Sequence, residues 1–292
     1  MKPASFTYHR ARDVTGAVGL LAELGEDAKF IAGGQSLVAM MNFRLARPAH
    51  LVDLTGLSRE LAYVRRAGDA LRIGALATHH EVETAPAERL GPGFGVLSEA
   101  MRWLGHLPIR TRGTIGGSLA HGDATAEWCL LAVLLGAEIV VVGLDGRRVI
   151  PAEEFFHGFF STALDPAELI VEVVFPRPAP HAALTEFAER SGDFATVAAA
   201  VTLDVQRATP CDGAPVGGGV RGGRVVLGGV APAPLRIPEA EAVLAGGGTF
   251  AECAEAAASA IDPPSDANGS ADYRRALTRT LVVRACEEAM AR

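Results

Sequence analysis

Two short segments, each with a pair of adjacent glycines ahead of a helical stretch, constrain this chain more than any other feature. They are Ala32-Gly33-Gly34-Gln35-Ser36-Leu37 and, roughly eighty residues downstream, Thr114-Ile115-Gly116-Gly117-Ser118-Leu119. A strand at Phe30-Ile31-Ala32 runs into the first. A strand that ends in two glycines and turns into a helix presents bare backbone N–H groups, and with the helix N-terminal dipole these suit a phosphate. Glycine matters because a Cβ blocks close approach of a pyrophosphate and disfavours positive φ. Gln35 and Ser36 add side-chain donors. The spacing is not G-x-G-x-x-G, so the Rossmann dinucleotide fingerprint is absent, and alone the segment is equally well a tight strand–helix turn. The second segment leads through His121-Gly122-Asp123 into a helix that carries Glu127. Ionised Asp123 and Glu127 accept hydrogen bonds only, which suits ribose hydroxyls or adenine. Asp123 is also placed to cap a helix from Ala124, and the two roles are compatible. Two such loops support a nucleotide ligand well beyond either alone.

Around these loops the pattern is a small α/β unit. Asp13 caps a helix with apolar Val14, Ala17, Val18, Leu21 and Leu24, and Gly25 stops it. Strands are expected at Leu51–Leu54, Leu71–Ala75, Glu138–Val142 and Arg147–Ile150, the last two joined by Leu144-Asp145-Gly146. Helices are expected over Phe94–Leu104 and Ala124–Leu135, with Gly136 ending the second. A strand at Leu169–Phe175 meets Pro176, Pro178 and Pro180, which places the domain boundary there. The expectation is a domain over 1–176, divided into about 1–56 and 57–176, and a second over 177–292. In the latter, Ala195–Val205 and Val225–Val230 read as strands, and Cys211–Gly223 as a mobile Gly-rich loop. Helices follow near Thr249–Ala260 and Asp272–Ala291. On the last, Tyr273, Leu277, Leu281, Ala285 and Ala289 recur at i+4, leaving Arg274, Arg275, Arg279, Glu287 and Glu288 for the wet face.

A net charge of -7 without a block of Lys or Arg argues against nucleic acid or an acidic membrane surface as partner. No run of about 18 apolar residues occurs, which excludes an ordinary membrane span, and no apolar leader follows Met1. Cys129, Cys211, Cys253 and Cys286 are scattered, as neither a disulfide framework nor a Cys-x-x-Cys metal or iron–sulfur site is, so a reducing cytoplasm is the expected location. His79-His80-Glu81-Val82-Glu83 reads as a solvated helix start after Thr78, because adjacent residues on a helix point about 100° apart and do not share a metal ion. His121 and Asp123 read as loop hydrogen-bonding groups. Arg110 and Arg112 either steer a diphosphate or pair with acidic groups on a partner. No nucleophile elbow is present.

At these residues the chain resembles the FAD-binding medium subunits of aerobic carbon monoxide dehydrogenase and related molybdenum hydroxylases, a flavin module that xanthine dehydrogenase carries within a longer chain. The likeness runs through Lys29–Leu37, Phe43-Arg44-Leu45-Ala46, Leu51–Leu54, Ile73-Gly74-Ala75, Arg112–Gly117, Gly192-Asp193-Phe194-Ala195, Leu227–Pro232 and Tyr273-Arg274-Arg275. It implies an α+β fold of the vanillyl-alcohol-oxidase (PCMH) flavoprotein type, with two N-terminal α/β subdomains and a C-terminal antiparallel sheet plus helices. It implies that Lys29, Phe30, Ile31, Ala32, Gly33, Gly34, Gln35, Ser36 and Leu37 lie along the pyrophosphate and the approach to the flavin. Thr114, Ile115, Gly116, Gly117 and Ser118 would form the second pyrophosphate loop, Asp123 and Glu127 would face ribose and adenine, and Leu164 would touch the adenine. Where relatives often carry a Lys before the Gly-Asp-Phe-Ala segment, this chain has Phe187-Ala188-Glu189-Arg190, so either Arg190 supplies the charge or the contact is missing. Gln35 stands where carbon monoxide dehydrogenases often have His. The cysteines do not suit the [4Fe–4S] loop of some relatives, which leaves FAD as the sole redox centre.

The resemblance further implies an oxidoreductase subunit with no catalytic side chain and no metal ion of its own. Its partners would be a small [2Fe–2S] subunit and a large molybdopterin subunit, as a dimer of heterotrimers (a heterohexamer), with electrons passing through FAD to an external acceptor. The alternatives are a stand-alone FAD-dependent oxidoreductase acting on a small molecule and a non-redox nucleotide-binding or assembly protein. Substrate and final acceptor stay open at this stage.

Overall fold

The computed structural model describes residues 2–206 and 219–292. They form two compact units, each built from more than one stretch of chain.

The first unit comprises Met1–Gly91, Gly105–Asp123 and Gly136–Arg177. Its strands in chain order are β1 (Thr7–Arg10), β2 (Ala28–Ile31), β3 (His50–Asp53), β4 (Val64–Ala67), β5 (Ala70–Gly74), β6 (Glu138–Gly143), β7 (Gly146–Pro151), β8 (Phe156–Gly158), β9 (Ser161–Thr162) and β10 (Leu169–Phe175). A parallel sheet runs β1-β3-β2, so β2, which leads into the first glycine turn, is an edge strand. The helix Val14–Leu24 covers this sheet. The Asp13 carboxylate caps it by accepting from the Gly16 N–H at 2.7 Å, and Gly25 ends it at a φ of 71°. Its buried stripe of Ala17, Val18 and Leu21 shares one apolar cluster with Val52 and Leu54, and with Val140, Val171 and Val174 of a second sheet. Burial of each large aliphatic side chain contributes roughly 1.5–3 kcal/mol.

That second sheet, β4-β5-β10-β6-β7, is antiparallel throughout. Glu172 on β10, only 2% exposed, binds it together. Its carboxylate accepts from Arg72 Nε and Nη2 at 2.8 Å each, from Arg147 at 2.9 Å and from the Tyr63 hydroxyl at 2.8 Å. Arg72 above all, against the effect of burial, holds the Glu172 carboxyl down at about 2.

The second unit comprises Pro92–Leu104, Ala124–Leu135 and Pro178–Arg292. Its antiparallel sheet runs β11 (Ala182–Phe187), β12 (Val197–Val205), β13 (Val220–Gly228), β14 (Leu235–Arg236). Alternate residues Val197, Ala199, Val201 and Leu203 of β12 point into a core filled by helices Pro238–Ala245, Phe250–Ala260 and Ala271–Met290. Helix Glu127–Leu134, apolar all round, also packs on β12 and β13.

Several expectations need correction here. The apolar run Phe94–Leu104 is helical only over Gly95–Ala100. The following helix starts at Glu127 with Ala126 as its N-cap, so Asp123 does not cap it. The strand expected at Val225–Val230 spans Val220–Gly228, which converts the end of the anticipated Gly-rich loop into sheet; residues 211–218 of that loop lie outside the described residues. On the last helix Leu281, Ala285 and Ala289 are buried as expected, but Tyr273 is exposed and Leu277 half-buried, and Arg274, Thr278, Val282 and Cys286 complete the buried stripe instead. Arg274 is 3% exposed rather than on the wet face. Its guanidinium donates to the carbonyls of Thr196 and Gly229 (2.5 and 2.7 Å) and grips Asp266 with both oxygens at 2.7 and 2.8 Å. Those acceptors make its burial tolerable.

Among the described residues no helix is long and apolar enough to cross a membrane.

Candidate cofactor site

The first glycine turn leaves β2 and enters helix Leu37–Asn42. Gly34 adopts a φ of 72°, the left-handed region that glycine enters without penalty. The Val38 N–H closes on the Gly34 carbonyl and the Met40 N–H on that of Ser36, both at 3.0 Å. The Gln35 side-chain amide donates back to the Gly33 carbonyl at 2.9 Å. By contrast, the N–H groups of Gly33, Gly34, Gln35 and Ser36 meet no acceptor among the described residues. Ser36 sits at the N-cap, but its hydroxyl makes no capping bond. The run from Phe30 to Leu37 is half-buried throughout, with Lys29 exposed before it. Uncommitted backbone donors on a partly sheltered turn are what an anionic group requires.

The second turn is built differently. Thr114 bridges Thr78, and the segment Gly113–Gly116 runs antiparallel to Ala75–His79. The Ile115 N–H donates to the Ala77 carbonyl at 3.1 Å, and the Gly116 N–H to that of Ala75 at 2.9 Å. The Gly117 N–H goes to the Thr114 hydroxyl at 3.1 Å, and the Ser118 N–H to the Thr114 carbonyl at 3.0 Å. The amides of this turn are therefore committed, and Gly116 is needed for space. A Cβ on it would stand 2.6 Å from the Ala75 Cβ and 2.8 Å from the Ala75 carbonyl oxygen.

The two turns meet. A Cβ on Gly33 would stand 2.0 Å from the Arg112 carbonyl oxygen and 2.8 Å from the Gly113 Cα. Beneath Gly113 lies the His79 imidazole. A Cβ on Gly113 would be 2.6 Å from His79 Nε2, and the His79 N–H donates to the Gly113 carbonyl at 3.0 Å.

His79 is 5% exposed, which corrects its reading as part of a solvated helix start. The helix itself, His79–Glu83, does start after Thr78, which forms a capping box with Glu81. Burial above all, with help from the positive charge of Arg110, pushes the His79 imidazole down to about 4. The Arg110 guanidinium has partners within the chain. It donates to Glu83 at 2.9 Å and to the Gly105 carbonyl at 2.9 Å, while His80 shares the same Glu83 oxygen at 3.1 Å. Burial alone would raise Glu83, but the hydrogen bonds from His80 and Arg110 outweigh it and lower the carboxyl.

Of the other expected residues, Asp123 and Leu164 belong to this first unit, and both are half-buried. Just before Asp123, the His121 ring lies 4.9 Å from that of Phe160, which takes a φ of 52° unusual for a non-glycine residue. Leu164 follows β9, beside an Ala163 carbonyl that accepts from Arg148 at 2.8 Å. Glu127 and Arg190 belong to the second unit, Glu127 in the first turn of its helix and Arg190 exposed in the turn after β11. Sequence reasoning missed the supporting group formed by His79, Gly113, Arg110 and Glu83. Gly113 was its one visible sign.

Residues 4–178 match the family model described as the FAD binding domain in molybdopterin dehydrogenase, and residues 182–289 match the CO dehydrogenase flavoprotein C-terminal domain. This chain belongs to the FAD-binding medium subunits of the molybdopterin dehydrogenase family. It is similar to the 6-hydroxypseudooxynicotine dehydrogenase complex subunit alpha of Paenarthrobacter nicotinovorans, at 42% identity over 100% of this chain and 97% of that one. It is similar also to the carbon monoxide dehydrogenase medium chain of Hydrogenophaga pseudoflava, at 36% identity over 100% and 99%. The solved carbon monoxide dehydrogenase from the same organism superposes with a TM-score of 0.90, covering 100% of this chain and 99% of that one. The medium subunit described here thus has the vanillyl-alcohol-oxidase-type fold, is an oxidoreductase subunit and takes FAD as its cofactor. The four unbonded N–H groups of Gly33–Ser36, next to a second turn that no Cβ obstructs, fit the diphosphate of that cofactor.

Proposed function

We propose that this medium subunit is an electron relay that binds FAD and performs no chemistry on the organic substrate. In this reading a large molybdopterin subunit oxidises the substrate, and a small [2Fe–2S] subunit delivers electrons to this chain, which returns them to an external acceptor. FAD supplies the redox chemistry, because a flavin exchanges electrons singly or in pairs. The chain's own residues bind and orient. The N–H groups of Gly33, Gly34, Gln35 and Ser36 hold diphosphate oxygens, and the Ser36 hydroxyl adds a donor. The Thr114–Ser118 turn closes beside them as a rigid wall, Asp123 faces the ribose, and Leu164 gives the adenine an apolar contact. Lys29 adds positive charge towards the anionic cofactor.

The observation that carries this reading is the junction of the two turns at Gly33 and Arg112, where four amides without an internal partner stand beside a second diglycine segment. The relatives cited above belong to enzymes named for quite different substrates, carbon monoxide and 6-hydroxypseudooxynicotine, while sharing this chain type along its whole length. Such variety is expected if substrate choice resides on another subunit.

The test is to purify the chain alone and reconstitute it with FAD. A yellow protein is expected whose flavin is bleached by dithionite but not by any aldehyde, N-heterocycle or carbon monoxide. Adding the small and large subunits with the matching substrate should then bleach it. Bleaching by a small substrate without partners contradicts the relay, and a chain that stays colourless with FAD contradicts the cofactor site.

A further inference from the structure

Gly33 and Gly113 leave no room for side chains for one connected reason. Gly33 rests on the Arg112 carbonyl and the Gly113 Cα, and Gly113 in turn rests on the ring of His79. The first turn is therefore supported at two removes by one imidazole. That ring is held from its own side by its backbone, through the bond from the His79 N–H to the Gly113 carbonyl, and by the capping box of its helix. The bonds of Ile115 and Gly116 to Ala77 and Ala75 fix the rest of the second turn to the same segment. A ring at this place sets how far the Arg112–Gly113 peptide stands from Ala75–His79, and thereby the level of the first turn.

We propose that His79 is a positioning residue for FAD, its buried imidazole propping the Arg112–Gly113 peptide on which the diphosphate-binding turn at Gly33 rests. The inference rests on the reading of Gly33–Ser36 as the diphosphate site and goes beyond it, since His79 itself touches no cofactor atom.

The ring is suited to the part only while uncharged. Arg110, on the packed helix Leu107–Arg110, already places a positive charge towards it, and the carboxylate that offsets Arg110, Glu83, is engaged by both Arg110 and His80. The remaining charged group of its own helix, Glu81, closes the capping box on Thr78, and the Arg112 side chain in the turn is exposed. A proton on His79 thus meets burial and the like charge of Arg110. It would drive the ring out from under Gly113 and release the cofactor.

The experiment follows flavin fluorescence, which rises on release, from the FAD-loaded chain between neutral pH and pH 2.5, with far-UV circular dichroism in parallel. Wild type, His79→Gln and His79→Ala are compared. Wild type is expected to hold FAD at neutral pH and release it near pH 4, before its helical signal is lost. His79→Gln, which fills similar space and takes no proton there, should keep FAD to a pH at least about one unit lower. His79→Ala should release FAD about tenfold faster at pH 7, with release no longer tied to pH near 4. If His79→Ala does not fold, His79→Gln decides alone. Release from His79→Gln at the same pH and rate as wild type overturns the positioning role while leaving the cofactor site intact. Wild type that never takes up FAD is the separate result that sinks the site and this inference together.

Discussion

The two diglycine turns look alike in sequence and differ in what their glycines are for. At Gly33–Ser36 the chain leaves four amides unbonded, and Gly34 supplies a left-handed turn. At Ile115–Ser118 every amide is already bonded, and the Gly116 position exists so that a backbone can lie against Ala75. One turn is a donor surface and the other a wall. The lesson is that adjacent glycines signal close approach of something, and only the hydrogen-bond inventory says whether that something is a ligand or the protein's own chain.

The contrast can be broken by mutation. The largest effect is expected for Gly33→Ala, whose Cβ would fall 2.0 Å from a backbone oxygen that cannot rotate away. It should cost about 3 kcal/mol of stability, the upper end of overpacking costs, and abolish FAD retention on purification; a variant that keeps both would show that the turns do not touch in solution. Next is the pH dependence of the wall's support. The folded His79 pKa of about 4 lies below the ordinary 6.5, so between those values the unfolded chain binds a proton that the folded one refuses. Stability of the apo chain should therefore fall by up to ~3 kcal/mol as pH drops through that window, read from urea midpoints, and His79→Gln should flatten the slope.

Gly116→Ala should cost about 2 kcal/mol in the apo chain through overpacking, yet leave the FAD affinity of the folded fraction close to wild type. A large loss of affinity without loss of stability would make the second turn a donor surface after all. The smallest effects form a pair. Thr114→Ala loses the cap on the Gly117 N–H and should lower the apo melting stability by about 1 kcal/mol, whereas Ser36→Ala, with no capping bond to lose, should change it by less than about 0.5 kcal/mol. For FAD affinity the order should reverse.

Much of this was legible from residues whose local chemistry and tertiary role agree. Asp13 caps the helix it precedes, and Leu169–Phe175, apolar except for Glu172, is the central strand of its sheet. The glycine pairs marked where to look. Legibility failed where a polar residue is buried because distant backbone satisfies it. Arg274 looked like a wet-face arginine, and the carbonyls of Thr196 and Gly229 that hold it are far away in sequence. His79, set in a run of His and Glu, looked solvated, and only the bare Gly113 makes room for its ring. Nor does periodicity reveal that Pro92–Leu104 and Ala124–Leu135 fold with the second unit rather than with the residues around them in sequence. An apolar helix does not say which apolar surface it will meet.

The most direct test of the two-turn account is backbone amide hydrogen exchange, measured residue by residue on the chain with and without FAD. The account predicts that Gly33, Gly34, Gln35 and Ser36 exchange rapidly in the apo chain and become protected when FAD binds, while Ile115 to Ser118 are protected in both states. Protection of the Gly33–Ser36 amides before FAD is added, or FAD-dependent protection confined to Ile115–Ser118, would contradict it.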